Sequence, residues 1–437
     1  MPDRTQGVAF RFVLFGAALA FSLAALAKDG AKPLTLASAL KIAREGNEDF
    51  LISQEKLKQT KLLRDKAWSA FAPEVALSGT LTHSDKEIAF SGRMISKLDA
   101  FAGKATATLT FLEASSITGL MEAYELAKAG VESTKYAMNE LSFEVARAYY
   151  AVLSAEKLVE AAERSVATAN EYLSAVTGRI DAGEALAIDE MRAKMELVSA
   201  EGDLVNAKNA RDNTQDYLAF LLNMEPPLVL EPPPVPAVPE GTDEALTEKA
   251  LAQRPDLIAQ EHNVKAAKKA AVGSWVGFFP TFGLTGTYNA TQNTGFSGDP
   301  FSWNLQLFMQ WVLWDGGLTA ATVSEKKSKL SEAQLEEEKL AHSVKLEVKQ
   351  AKRDLDNAGA NLATAQKQLE LASLSREMVM SRYNAGLATS LELTEADDDL
   401  RQAEVQLVVQ DLSYQLCILE VLRVIGLNPM GKDIPNP

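Results

Sequence analysis

The sequence predicts a mainly α protein carrying a membrane β-barrel segment, with long coiled-coil helices and four short strands in each copy. Three observations predict it. Two long proline-free stretches keep an unbroken apolar heptad seam. Four short segments alternate apolar and polar residues. An export-type leader opens the chain, and no later apolar run reads as a membrane helix, so any crossing falls to strands.

The leader is expected over residues 1–27. Arg4 and Arg11 precede an apolar run from Phe12 to Ala27, which ends in the small-x-small sequence Ala25-Leu26-Ala27. An uncleaved membrane anchor is the competing reading, but the run is short for a span of ~20 residues. No cysteine follows the site to carry a lipid. The net charge of −15 disfavours nucleic acid and anionic membrane surfaces. The single cysteine, Cys417, excludes an intrachain disulfide and a cysteine metal site.

The body is expected to be two copies of one plan. Trp68-Ser69-Ala70-Phe71-Ala72-Pro73 matches Trp275-Val276-Gly277-Phe278-Phe279-Pro280 at a shift of 207 residues. Arg179-Ile180-Asp181-Ala182-Gly183 matches Arg382-Tyr383-Asn384-Ala385-Gly386 at a shift of 203. Expected boundaries are 28–225 for the first repeat (helix, two strands, long helical hairpin) and 243–429 for the second. A proline-rich extended connector fills 226–242, and 430–437 is a tail.

The long helices are expected from about Ser115 to Ile180 and from about Gly317 to Tyr383, each ~100 Å long at 1.5 Å per residue. The first seam is Val145, Ala148, Val152, Ala155, Val159, Ala162, Val166, Ala169, Leu173, Val176 and Ile180. Val348, Ala351, Leu355, Ala358, Leu362, Ala365, Leu369 and Ala372 repeat it in phase. Spacings of three and four imply left-handed supercoiling, and alternate alanines allow close approach. A return helix follows each glycine. The second return helix carries Leu393, Ala396, Leu400, Ala403, Leu407, Tyr414, Cys417, Val421 and Val424, so Cys417 reads as a small seam hydrophobe.

The strands follow each proline. Val75, Leu77 and Leu81 alternate with polar or small residues after Pro73, as do Phe282, Leu284 and Tyr288 after Pro280. Beyond a polar loop, Ala105, Ala107, Leu109 and Phe111 alternate with threonines. In the second half Trp303, Leu305, Leu307, Met309, Trp311 and Leu313 alternate with Asn304, Gln306, Phe308, Gln310 and Val312. Phe308 and Val312 break the polar side. Length and period fit membrane barrel strands, with Trp303, Trp311 and Trp314 as an aromatic girdle. A half-buried soluble sheet shares the period. Four strands cannot close a barrel. Two copies would give eight strands, which side chains tend to fill. Three give twelve and leave room for a conduit.

Leu34-Thr35-Leu36 with Ala39-Leu40, Arg254-Pro255-Asp256-Leu257, the two Trp-to-Pro helix ends, Trp311-Val312-Leu313-Trp314-Asp315-Gly316-Gly317 and Arg382-Tyr383-x-x-Gly386 together resemble the TolC-like outer-membrane efflux proteins. The resemblance covers nearly the whole chain after the leader. It implies a homotrimer whose twelve-stranded barrel sits in outer membrane lipid and whose twelve helical strands form a periplasmic α-barrel. It also implies a periplasmic adaptor (membrane fusion) protein and an inner-membrane pump of the RND or ABC type, in efflux or type I secretion.

The resemblance places the adaptor-docking tips at Gly183, Ala185 and Leu186 and at Gly386, Leu387 and Ser390. Glycine permits the reversal, and small or apolar residues offer a dockable end. Ordinary turns without a partner are the alternative. The acidic residues that line the family's periplasmic entrance match Glu392 and Glu395 here, where threefold symmetry would gather six carboxylates with raised pKa values. A solvated helix face is the competing reading. Ala388 stands where family members can carry a basic residue, which removes one closing salt bridge. Asp189 and Glu190 follow the first tip, with Arg192 placed to neutralise one of them.

No catalytic constellation, cofactor motif or metal site is legible. His83, His262 and His342 are far apart in sequence, and neither a phosphate loop nor a G-x-S-x-G elbow occurs. Asp397-Asp398-Asp399 point in different directions on a helix. The expectation is a passive channel and not an enzyme. A structural coiled-coil protein of the cell envelope is the alternative, and an envelope hydrolase lacks a visible nucleophile and base.

Overall fold

The structure, a computed structural model, describes residues 33–437 apart from 111–113, 184, 185, 235, 295–297, 433 and 435–437. The expected leader lies outside the described residues, as do Phe111 and Ala185. The first half runs α1 (Leu36–Gly46), α2 (Glu48–Ser69), β1 (Glu74–His83), β2 (Ile88–Phe90), β3 (Arg93–Ser96), β4 (Asp99–Thr110), α3 (Ala114–Asp181) and α4 (Ala187–Leu222). The second runs α5 (Asp243–Gln253), α6 (Pro255–Ser274), a 3₁₀ turn over Trp275–Phe278, β5 (Thr281–Thr291), β6 (Phe301–Gln310), α7 (Leu318–Asn384) and α8 (Ser390–Val424).

The helix boundaries follow local chemistry. Asn47 caps α2 by accepting the Phe50 amide at 3.2 Å, and its own amide donates to the Leu221 carbonyl, also at 3.2 Å. Arg254 holds the equivalent place before α6, with Pro255 at the first helical position. The long helices α3 and α7 contain 68 and 67 residues, one residue from the expected limit at each end. At 1.5 Å per residue each reaches about 100 Å.

Burial follows the heptad seam. Val145, Val152 and Val176 are fully buried, as is Val348 nearly so, and Ala148, Ala155, Val159, Ala351, Leu355, Ala358 and Ala365 are buried with them. Toward the lower end of α7 the seam positions Leu362, Leu369 and Ala372 are half-buried. α2 and α4 pack along α3, and α6 and α8 along α7, while α3 also packs against α6 and α8. Cys417 is half-buried beside this core, and burial raises its thiol.

The largest core forms where the middle of α3 meets α1, α5, the end of α4, the end of α8 and the connector. Tyr149 organises it. Its hydroxyl lies 2.5 Å from the Leu34 carbonyl oxygen and 2.6 Å from that of Glu231, and accepts the Glu231 amide at 3.1 Å. Leu34 and Leu230 form a parallel bridge beside it. Burial pushes the Tyr149 phenol up to about 12, so it stays protonated. The connector is thus extended and pinned at its start.

One reading needs correction. α8 contains an 18-residue window of mean hydropathy 1.3, enough by length and composition for a membrane span. Its end instead packs into the large core through Ile418, Leu419, Val421, Leu422 and Val424. Arg423 and Glu420 pair on the same stretch at 2.6 Å, which suits a packed helix better than a lipid-facing one.

The main sheet has the order β1–β4–β5–β6, antiparallel throughout. β6 stops at Gln310 rather than continuing to Leu313. There the Trp311 ring nitrogen donates to the Phe278 carbonyl at 3.1 Å, turning the chain back toward the 3₁₀ turn. β4 begins at Asp99, earlier than its alternation showed, because the small residues Ala100, Ala102 and Gly103 give no periodic signal but still pair with β1. The β2–β3 hairpin was not expected from sequence.

A buried ion cluster forms around Arg254. Its guanidinium meets Asp256 at 2.7 Å and Glu347 of α7 at 2.6 Å, with its side chain 5% exposed. Replacing Arg254 with Leu strands two carboxylates and should cost roughly 3 kcal/mol. Thermal unfolding should show a clear fall in Tm, and the double change with Glu347→Leu should recover part of it.

Candidate functional site

Two regions expose residues that the helical body does not use: the sheet at one end and the hairpin tips at the other. The register assigns every strand residue to a face. Val75, Leu77 and Leu81 on β1 share one face with Phe101, Ala105 and Leu109 on β4, with Leu284 and Tyr288 on β5, and with Trp303, Leu305, Leu307 and Met309 on β6. The opposite face carries Ser78, Thr80, Thr106, Thr108, Thr285, Thr287, Asn289, Asn304 and Gln306. The apolar face is open: Leu77 is 85% exposed and Trp303 76%.

Phe308 is the one large apolar side chain on the polar face. A Cβ at Gly283, its cross-strand partner, would lie 2.4 Å from the Phe308 ring. The ring therefore lies over Gly283, and the break in alternation is filled locally. Val312, the other expected exception, falls beyond the strand.

Aromatics border the apolar face above and below. Tyr288 and Phe301 stack at 6.1 Å near the upper end, beside Trp303. Trp311, Trp314, Trp275, Phe278 and Phe279 lie near the lower end and are exposed. Phe301 opens β6 and Trp311 follows directly after its last residue, Gln310; nine strand steps span about 30 Å at 3.3 Å per residue, or ~23 Å along the normal for a strand tilted by ~40°.

At the other end, Gly183 and Gly386 turn the two hairpins with φ of +78° and +73°, which favours glycine. Leu186 and Leu387 are 71% and 70% exposed at the ends. Ser390 opens α8. It is half-buried, and its hydroxyl donates to Asp189 Oδ1 at 2.7 Å, tying the second hairpin to the first. Asp189 Oδ2 also accepts the Leu186 amide at 3.2 Å. Arg192 stands 3.9 Å from Asp189, while Glu190 pairs with Lys194 at 2.6 Å.

Glu392 caps its own helix. Its carboxylate accepts the Thr389 amide at 2.6 Å and the Thr389 hydroxyl at 3.1 Å, while Thr389 Oγ1 accepts the Glu392 amide. Within a single copy the Thr389 amide holds the Glu392 carboxyl below the ordinary 4.5. Glu395 is exposed one turn along.

Above the tips a small core of Tyr172, Val176, Ala193 and Leu393 joins the hairpins, with Tyr383 packed against it. The Arg179 guanidinium of the first hairpin lies 4.5 Å from the ring centre of Tyr383 in the second, which gives Tyr383 a cross-hairpin partner. Higher still, Arg401 bridges Asp203 at 2.7 Å and Asp398 at 2.9 Å, and Arg376 meets Asp397 at 2.8 Å. Two of the three consecutive aspartates thus have separate cationic partners. Burial raises the nearby Glu196 carboxyl, with Asp398 adding to the effect and Arg401 opposing it.

Two features escaped the sequence reading. Ile188, Met191, Met195, Val198 and Val205 form an exposed three–four stripe on α4, with Gly202 in the gap. A heptad count on the return helix would have found it. Leu371, Leu374 and Met378 form an exposed stripe on α7 at a matching distance from the tips. The second feature is the half-buried pair of His262 and Glu125, 2.7 Å apart, which joins α6 to α3 and has no signal in spacing.

The model of the outer membrane efflux protein family matches residues 39–224 and 246–426, most of the chain. The chain belongs to the outer membrane efflux protein family. Outer membrane efflux protein BepC of Brucella suis is 24% identical over 65% of this chain and 62% of its own length. Outer membrane protein OprJ of Pseudomonas aeruginosa is 22% identical over 68% of this chain and 64% of its own. The matched part thus spans less than two thirds of these curated relatives. Among solved structures, CusC superposes with a TM-score of 0.79 at 15% identity, covering 90% of this chain and 92% of that one. The MtrE channel of Neisseria gonorrhoeae gives 0.76 at 20% identity, covering 92% and 91%. These likenesses show the fold: a family sheet carried on family helices.

The capping box of α8 has a testable signature. Glu392→Ala should raise hydrogen exchange in the first turn of α8 and leave the helix middle unchanged. In the wild type the same loss should appear as pH falls below 4.5 through the depressed Glu392 value, because the cap stabilises only while the carboxylate is ionised. Mass-spectrometric exchange, corrected for intrinsic rates, reads both.

Proposed function

We propose that this chain is one subunit of a homotrimeric outer-membrane exit duct, passive itself and coupled to a periplasmic adaptor and an inner-membrane pump. The carrying observation is the sheet: one face apolar up to the His83–Asp99 pair at its upper end, one polar face, and two edges, β1 and β6, without a partner among the described residues. An open edge is not tolerated in hydrocarbon. Pairing β6 of one copy with β1 of the next removes both edges, and three copies give twelve strands around an aqueous lumen. The ~23 Å between aromatic borders is close to the apolar band of an outer-membrane barrel.

The helices support the same ring. The exposed stripes on α4 and α7 run antiparallel at matching heights, so α4 of one copy fits α7 of the next by heptad packing. The α-barrel so formed would extend ~100 Å into the periplasm. Its lower end presents Gly183, Leu186, Gly386 and Leu387 as the adaptor-docking tip. Glu392 and Glu395, repeated three times, would line the entrance and favour cations. Substrate choice belongs to the pump, of RND or ABC type.

Two experiments test this reading. Met195→Asp combined with Leu374→Asp places charge in the proposed helix interface. The sedimenting species should fall from trimer to monomer. A photoreactive residue at Leu387 in living cells should capture a periplasmic adaptor. Capture of neighbouring copies alone, with normal expression, counts against docking there and favours the envelope scaffold.

A further inference from the structure

The polar face of the sheet carries two charges among the described residues, Glu74 at its lower end and Lys104 near mid-height. Lys104 shares a cross-strand row with Ser78, Asn289 and Ser302, all uncharged. It is exposed and has no ion pair among the described residues. Glu74 lies four residues away along β1, measured from Ser78. That separation is about 13 Å at 3.3 Å per residue, longer than the ~8 Å screening length at physiological salt. Glu74 therefore does not neutralise Lys104. A lysine at this height on the opposite face would meet hydrocarbon, where it is strongly disfavoured, while on the polar face it meets water.

We propose that Lys104 is a selectivity-determining residue of the barrel lumen. Three copies form a positive collar part-way along the barrel that attracts anions and slows cations. The duct is then polarised, with acidic groups proposed for its periplasmic entrance and a basic ring nearer its exit. The inference rests on the trimeric-duct reading.

The test is the reversal potential of purified trimers in planar bilayers under a potassium chloride gradient, comparing wild type, Lys104→Gln and Lys104→Glu. The cation-to-anion permeability ratio should rise about twofold from wild type to Lys104→Glu near 0.01 M salt, where the screening length is ~30 Å, and converge near 1 M, where it is ~3 Å. Lys104→Gln should fall between. Equal ratios in all three at low salt, with equal conductance, would overturn the proposal. Failure of the wild type to form any channel would count instead against the duct. A second readout fixes the facing. With C417S as background, Lys104→Cys should react with a membrane-impermeant thiol reagent and Gly103→Cys should be protected in lipid. The reverse pattern would overturn the assignment.

Discussion

A four-stranded sheet with one apolar face and two unpaired edges has no stable place by itself. Water disfavours the apolar face, and hydrocarbon disfavours the free backbone groups at the edges. Cyclic association satisfies both, because it closes the edges and turns the polar face to an enclosed aqueous space. The helices follow from that demand. Each strand pair is fed by one helix and drained by another, so the proposed ring of strands would stand on a ring of helices. The seams Val145 to Ile180 and Val348 to Ala372 pack helices within the copy. The α4 and α7 stripes remain for packing between copies.

The polar interactions divide by place. In the middle, Tyr149 and the Arg254 cluster hold fixed joints: the connector to the core, and the start of α6 to α7. At the tips the contacts are fewer and more exposed. Asp189 and Ser390 link the hairpins through one hydrogen bond, and Thr389 with Glu392 caps α8. An exposed tie of this kind has a smaller net stability than buried packing. The polar ties are thus buried in the middle and exposed at the tips.

Much of this was legible in the sequence because it is periodic. Helix ends were visible at Pro73, Pro280, Gly183 and Gly386, since proline and glycine act locally on the backbone. The seam was visible because the heptad recurs over many turns. The weaker readings had physical causes. β4 was read too short because Ala100, Ala102 and Gly103 carry little hydrophobic contrast. β6 was read too long because Trp311 to Leu313 continues the alternation by chance while a side-chain hydrogen bond bends the chain away. Within the candidate site, the residues of the tips were found but not their partners. Ser390 was read as a docking surface, yet its hydroxyl is held by Asp189, about two hundred positions away. Glu392 reads as a member of a threefold acidic ring, and its bond to Thr389 within one copy goes unread. Contacts between distant positions leave no trace in spacing.

The central claim is that β6 of one copy pairs with β1 of the next in a ring of three. Cysteine pairs placed across these edges test it most directly, combining Leu77→Cys with Trp303→Cys or Leu305→Cys in the C417S background. After mild oxidation in intact membranes, denaturing electrophoresis should give a covalent ladder that ends at three subunits for at least one register. A ladder that ends at two, or one that runs past three, would contradict the account.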